Sequence, residues 1–165
     1  MEDGIHEIDI MHGMIGARVA RIYASGGNSV LTGRETIDHA GIVIDYENGV
    51  KFTFNFSLFA RNAGPISRHM VLVGTEGILQ PEHDKISIRR QSGSDAKLLD
   101  ANVDASGAKQ AEATYREYIA FAHSLRTGEK PMVSGTVGKE AIKISLLAEK
   151  SLRERRIVSW NDLPA

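Results

Sequence analysis

Glu2, His6, Asp9 and Gly13 follow one another at spacings of four, three and four, which on an α-helix aligns them in one stripe. An imidazole between two carboxylates can take a proton near neutral pH while a carboxylate orients the ring and stabilises its cation. Gly13, with no side chain, leaves room for a ligand to approach. The same residue types support two plainer readings. One is a solvated polar face; the other is a divalent-ion site from Glu2, His6 and Asp9, although such sites usually draw ligands from more than one element. His12 falls on the opposite, apolar side of the stripe and is expected to be a core histidine with a backbone partner.

Other familiar chemistries lack their residues. Gly135-Thr136-Val137-Gly138-Lys139 has two residues between its glycines where a phosphate loop needs four, and Glu140 follows where Ser or Thr is required. There is no His-Glu-x-x-His, no cysteine and no Gly-x-Ser-x-Gly elbow. A Gly-x-Gly-x-x-Gly dinucleotide fingerprint is also missing, so no cofactor site is expected within this chain.

The elements that must carry the stripe can be read from periodicity. Ile5, Ile8, Met11, His12 and Ile15 share one side of a helix that Gly16 ends. Arg18 to Ala24 reads as a strand, and Ser25 to Glu35 as a glycine-rich loop with freedom to move. Ala40, Ile42, Ile44 and Tyr46 alternate before Asn48-Gly49, and Phe52, Phe54, Phe56 and Leu58 alternate after it. Asn-Gly suits a type I′ turn, so this is a hairpin with Lys51, Thr53, Asn55 and Ser57 on its polar face. Further strands are expected at Arg68 to Val73, Ile78 to Gln80 and Lys85 to Arg89, then a polar loop from Ser92 to Lys109 with an edge strand near Lys97-Leu98-Leu99. Two helices follow, with stripes Tyr115, Tyr118, Ile119, Ala122, Leu125 and Val137, Ala141, Ile144, Ala148, Ser151, separated by Gly128-Glu129-Lys130-Pro131. A short strand at Ile157-Val158 and Trp160 as a closing plug complete the reading. The order helix, strands, two helices predicts an α+β fold: an open, mostly antiparallel sheet with helices on one face, in a single domain over 1–165.

The composition narrows the partners. With 165 residues, 20 Lys+Arg against 21 Asp+Glu and a net charge of −1, the chain has no broad positive field, so neither nucleic acid nor an anionic membrane is an expected partner. No apolar stretch approaches the roughly 20 residues of a membrane span and no secretory leader opens the sequence, which predicts a cytoplasmic protein.

The segment Gly4 to Gly16, GIHEIDIMHGMIG, resembles the entry helix of the C-terminal domain of the Gfo/Idh/MocA oxidoreductases. The Tyr46-to-Phe56 hairpin, Val73-Gly74-Thr75-Glu76-Gly77-Ile78-Leu79 and the helix containing Lys143 to Ser151 follow in the family's order, so the resemblance covers essentially the whole chain. It implies the C-terminal fold shared with glyceraldehyde-3-phosphate dehydrogenase, and the half of an NAD(P)-dependent sugar or polyol dehydrogenase that contacts substrate and forms the oligomer, without its Rossmann domain. On that resemblance His6 matches the family's histidine beside the cofactor, Glu2 stands where the family has Asp, and Asp9 completes His-x-x-Asp. Glu129-Lys130-Pro131 repeats the letters of the family's lysine motif, but between the terminal helices rather than after a Rossmann strand, so Lys130 is not the catalytic lysine. A small polyhydroxylated substrate would meet Asp9, Lys51, Asn55, Arg61 and Asn62. Alternatively, the polar hairpin face meets a second subunit, since an open sheet face favours a homo-oligomer. NAD or NADP is implied for an intact enzyme, and the chain alone is expected to be inactive. The competing expectation is a stand-alone, non-catalytic sugar-binding or dimerisation module.

Overall fold

The computed structural model describes residues 4–33, 37–57, 70–82, 85–92, 97–100, 108–131 and 133–164. In chain order the elements are α1 (Ile5–Ile15), β1 (Val19–Gly27), β2 (His39–Tyr46), β3 (Lys51–Ser57), β4 (Leu72–Gly74), β5 (Gly77–Glu82), β6 (Lys85–Arg90), β7 (Lys97–Asp100), α2 (Ala108–Thr127), α3 (Gly135–Glu154), β8 (Val158–Ser159) and a 3-10 turn at Trp160–Asp162. They fall into two compact units, one within residues 1–66 and 133–165 and the other within 67–132.

The first unit is a four-stranded antiparallel sheet in the order β3-β2-β1-β8. Alternation decides its two faces. Ile22 and Ala24 of β1, Ala40, Ile42, Ile44 and Tyr46 of β2 and Val158 of β8 are buried on one side, where Ile8 of α1 and Ile144, Leu147 and Ala148 of α3 close the core. The half-buried Phe52, Phe54 and Phe56 of β3 extend that face, each ring stacked on the next at 6.1 Å. Both helices therefore lie on the inner face of the sheet. Gly16 ends α1 in the left-handed conformation, its N–H donating to the His12 carbonyl at 3.0 Å.

The first three residues of the expected loop are sheet instead: β1 continues to Gly27, because Ser25, Gly26 and Gly27 pair with Gly41, Ala40 and His39, and residues 28–33 are irregular as expected. Residues 29–31 of that loop are tied down. The Asp38 carboxylate, fully buried, accepts the N–H groups of Ser29, Val30 and Leu31 at 2.9, 2.6 and 2.9 Å. At the other end Ser151 ties α3 to the sheet: its hydroxyl accepts the Ala24 N–H at 2.9 Å and donates to the Arg156 carbonyl at 2.6 Å. Trp160 is half-buried against the core as expected, with the Lys143 ammonium 4.5 Å from its ring centre.

The second unit is a four-stranded antiparallel meander, β4-β5-β6-β7, followed by α2. The later strands thus form a sheet of their own rather than prolonging the first. Of the strand expected from Arg68 to Val73, residues 68–69 lie outside the described residues, and the described strand begins at Leu72. The stripe Tyr115, Tyr118, Ile119, Leu125 on α2 has the predicted helical spacing, yet each of these residues is more than half exposed. Periodicity sets which residues share a face; it does not supply a surface to cover them.

Candidate functional site

The core seats α1 through Ile8 and Met11, and this fixes what the helix shows to the outside. His6, Ile10, Gly13 and Met14 point away from the sheet, with Ile10 and Met14 exposed by 54% and 60%. On the neighbouring α3 the outward positions Ile142 and Leu146 are exposed by 52% and 47%. The two helices, packed on each other, thus carry an exposed imidazole on α1 and four large apolar side chains that the unit itself leaves uncovered.

His6 makes no hydrogen bond or ion pair among the described residues. Asp9, one turn further on, is half-buried, with Oδ1 enclosed and unpartnered. The carboxylate and the imidazole are one turn apart but are not hydrogen-bonded. Glu2, Arg61 and Asn62 lie outside the described residues. Among the described residues no group of three His, Cys, Asp or Glu side chains is arranged to hold a metal ion.

Lys51 and Asn55 stand on the other side of the sheet. In register, the outer face reads Arg21, Asp45, Lys51 in one row; Tyr23, Val43, Thr53 in the next; Ser25, Gly41, Asn55 in the third. Asp45 accepts from Lys51 Nζ at 2.9 Å and from Arg21 Nε at 2.6 Å, and these two cations hold its carboxyl below the usual range. Tyr23 and Val43 are exposed at the centre of the face. The sheet and its core separate this surface from His6, so the structure does not gather Lys51, Asn55 and His6 around one ligand. Sequence spacing assigned each residue to a face, but could not say that the two faces were opposite sides of one layer.

His12 faces the interior with its side chain 11% exposed, but its partner is a side chain rather than backbone. Nε2 lies 3.3 Å from Glu140 Oε2 on α3, and the ring stacks on Tyr46 with centroids 5.8 Å apart. Burial pushes the Tyr46 hydroxyl up to about 12. The contact pins α1 to α3 and to the hairpin at once, a junction of residues 128 positions apart that no local pattern announces. A second histidine–carboxylate contact has no local signature in the sequence. Asp38 Oδ1 lies 2.7 Å from His39 Nδ1; burial raises the Asp38 carboxyl, but the Leu31 N–H, the His39 ring and the Val30 and Ser29 N–H groups outweigh it and hold it well below the usual carboxylate range. The signal for its N–H donors was a lone Asp at the start of a strand, beside a glycine-rich segment whose N–H groups needed acceptors. Glu129, Lys130 and Pro131 are exposed after α2, with Glu129 Oε2 3.4 Å from His123 Nε2.

Residues 1–80 match the family model of the GFO/IDH/MocA C-terminal domain. Among solved structures, the chain resembles an oxidoreductase from Agrobacterium radiobacter in complex with NAD+, L-tartaric acid and magnesium, with a TM-score of 0.80 and 20% identity over 96% of this chain and 48% of that one. It also resembles scyllo-inositol dehydrogenase from Lactobacillus casei with bound NAD(H) and scyllo-inositol, with a TM-score of 0.69 and 19% identity over 96% and 47%. An aldose-aldose oxidoreductase from Caulobacter crescentus complexed with glycerol gives a TM-score of 0.70 and 15% identity over 94% and 45%. The chain spans about half the length of the solved structures it matches. No curated protein matches it. No helix among the described residues is long and apolar enough to cross a membrane.

Proposed function

We propose that the chain, which matches the GFO/IDH/MocA C-terminal domain model over residues 1–80, is a domain of that type, and that residues 1–165 form the substrate-binding and oligomerisation domain of an NAD(P)-dependent sugar or polyol dehydrogenase. The observation that carries the proposal is the outward stripe of α1: an exposed, unpaired imidazole at His6 in line with the uncovered Ile10 and Met14, while α3, packed on α1, leaves Ile142 and Leu146 uncovered as well. Such a surface suits a second domain bringing a nicotinamide dinucleotide to it. His6 then relays the substrate hydroxyl proton, and Asp9 accepts a hydrogen bond from a substrate hydroxyl. The chain's own part is position and proton handling; hydride chemistry belongs to the dinucleotide, for which this sequence has no glycine-rich pyrophosphate turn.

Lys51 and Asn55 take the other half of the role. They belong with Tyr23 and Val43 on the outer sheet face, which we assign to a second copy of the chain; the unsatisfied apolar centre and the charged Arg21–Asp45–Lys51 rim support that assignment.

Two titrations test the proposal. The isolated chain should bind neither NAD(H) nor NADP(H) tightly, and polyols such as scyllo-inositol should shift the His6 ring resonances in the NMR spectrum. Tight dinucleotide binding overturns the division of labour. Polyol binding that leaves the His6 resonances in place, and that His6→Ala does not weaken, favours a non-catalytic module instead.

A further inference from the structure

Of the six asparagines in the chain, Asn48 alone precedes a glycine, and the structure places this pair at the tip of the β2–β3 hairpin. Both residues are exposed. Asn48 Oδ1 accepts the Val50 N–H at 3.2 Å, a weak contact, while the amide nitrogen Nδ2 has no partner. Gly49 sits at φ 87°, and a Cβ built there would meet nothing within 4 Å, so the tip is open to solvent on that side. One restraint opposes reaction: the Gly49 N–H donates to the Tyr46 carbonyl at 3.0 Å and closes the turn.

We propose that Asn48 is a site of spontaneous, water-consuming deamidation that remodels this hairpin. When the turn opens, solvent base removes the Gly49 N–H proton and the nitrogen attacks Asn48 Cγ. A Cγ–N bond forms, the Cγ–Nδ2 bond breaks, and ammonia leaves with a proton from solvent, giving a five-membered succinimide. Water then adds to either ring carbonyl and breaks its bond to nitrogen. Addition at Cγ gives aspartate. Addition at the main-chain carbonyl gives isoaspartate, in which the backbone runs through the side-chain carbon. The net change is asparagine plus water to an acid plus ammonia, with no redox partner.

The two products differ in consequence. Aspartate still suits the turn, since the residue at position 48 keeps a negative φ there and only Gly49 takes a positive one. Isoaspartate inserts one extra backbone atom between strands whose register is set by the turn. That insertion disturbs the Asp45–Lys51 pair beside it and Tyr46, on which His12 of α1 rests.

The test is to incubate the full chain in mildly alkaline buffer, native and in urea, and to follow Asn48 by peptide mass spectrometry and an isoaspartate-specific methyltransferase. Asn48→Gly, whose Gly-Gly tip keeps the turn, serves as the control. The native chain should convert at Asn48 to both acids, roughly fivefold more slowly than in urea, the factor one net hydrogen bond of about 1 kcal/mol supplies. The control should give no signal. Persistence of the Asn48 amide in native buffer over the time that urea converts it completely overturns the proposal. So does native conversion that begins at any other asparagine.

Discussion

Ser151 joins two elements through one hydroxyl group, accepting from Ala24 and donating to Arg156 in a fully buried position. Ser151→Ala leaves the Ala24 N–H buried without an acceptor, so it should cost about 1–3 kcal/mol in urea unfolding with an unchanged m-value. A cost near zero would mean that the helix and strand hold together without the clamp. Asp38 makes its contribution through charge. Free aspartate titrates near about 3.9, whereas the folded carboxyl is held well lower, so in that acid window the unfolded chain binds more protons. The stability that Asp38 provides is complete above the unfolded value and is lost as pH falls toward the folded one. Asp38→Asn should therefore flatten the acid limb of stability against pH, leaving the shares of Asp45, Glu154 and Asp162, which are also held low. Urea midpoints measured at descending pH check this, and an unchanged slope would place the acid sensitivity elsewhere.

At the scale of the element, α1 presents the same residue type on opposite faces. Ile8 is fully buried among core side chains of β1, β2 and α3, and Ile10 is half exposed beside His6. Ile8→Ala should cost about 2–5 kcal/mol because the cavity collapses only in part, whereas Ile10→Ala should stay within about 0.5 kcal/mol in the isolated chain. Comparable losses at both positions would show that the outward stripe of α1 is already covered. The helix was largely legible in advance, because its boundaries rest on local signals: the spacing of Ile5, Ile8, Met11 and Ile15, and Gly16 at its end. The hairpin was legible for the same reason, although its turn is not the expected type I′: only Gly49 has a positive φ, and its N–H closes the turn on the Tyr46 carbonyl across Glu47 and Asn48. The extension of β1 through Gly27 was not, since glycines carry no strand signal and only pairing with His39, Ala40 and Gly41 recruits them.

Across the whole molecule, the outer sheet face is the surface on which an assembly would depend. A charge at its centre must be desolvated when two copies meet, so Val43→Asp should convert a wild-type oligomer into monomers in analytical ultracentrifugation, with far-UV circular dichroism unchanged. A wild-type chain that sediments as a monomer at all concentrations sinks the assignment of this face. The amino-acid order by itself determined the α+β class, the antiparallel hairpin, the three helices and the two-faced character of each, because periodicity and turn chemistry act over a few residues. Only the tertiary structure decided how those faces combine. It put His6 and Lys51 on opposite sides of one sheet, joined His12 to Glu140 across 128 positions, gave Asp38 its three N–H donors, and left the α2 stripe exposed. Each of these depends on which distant segments become neighbours, and burial, unlike amphipathicity, is a property of the packed layers rather than of any segment within them.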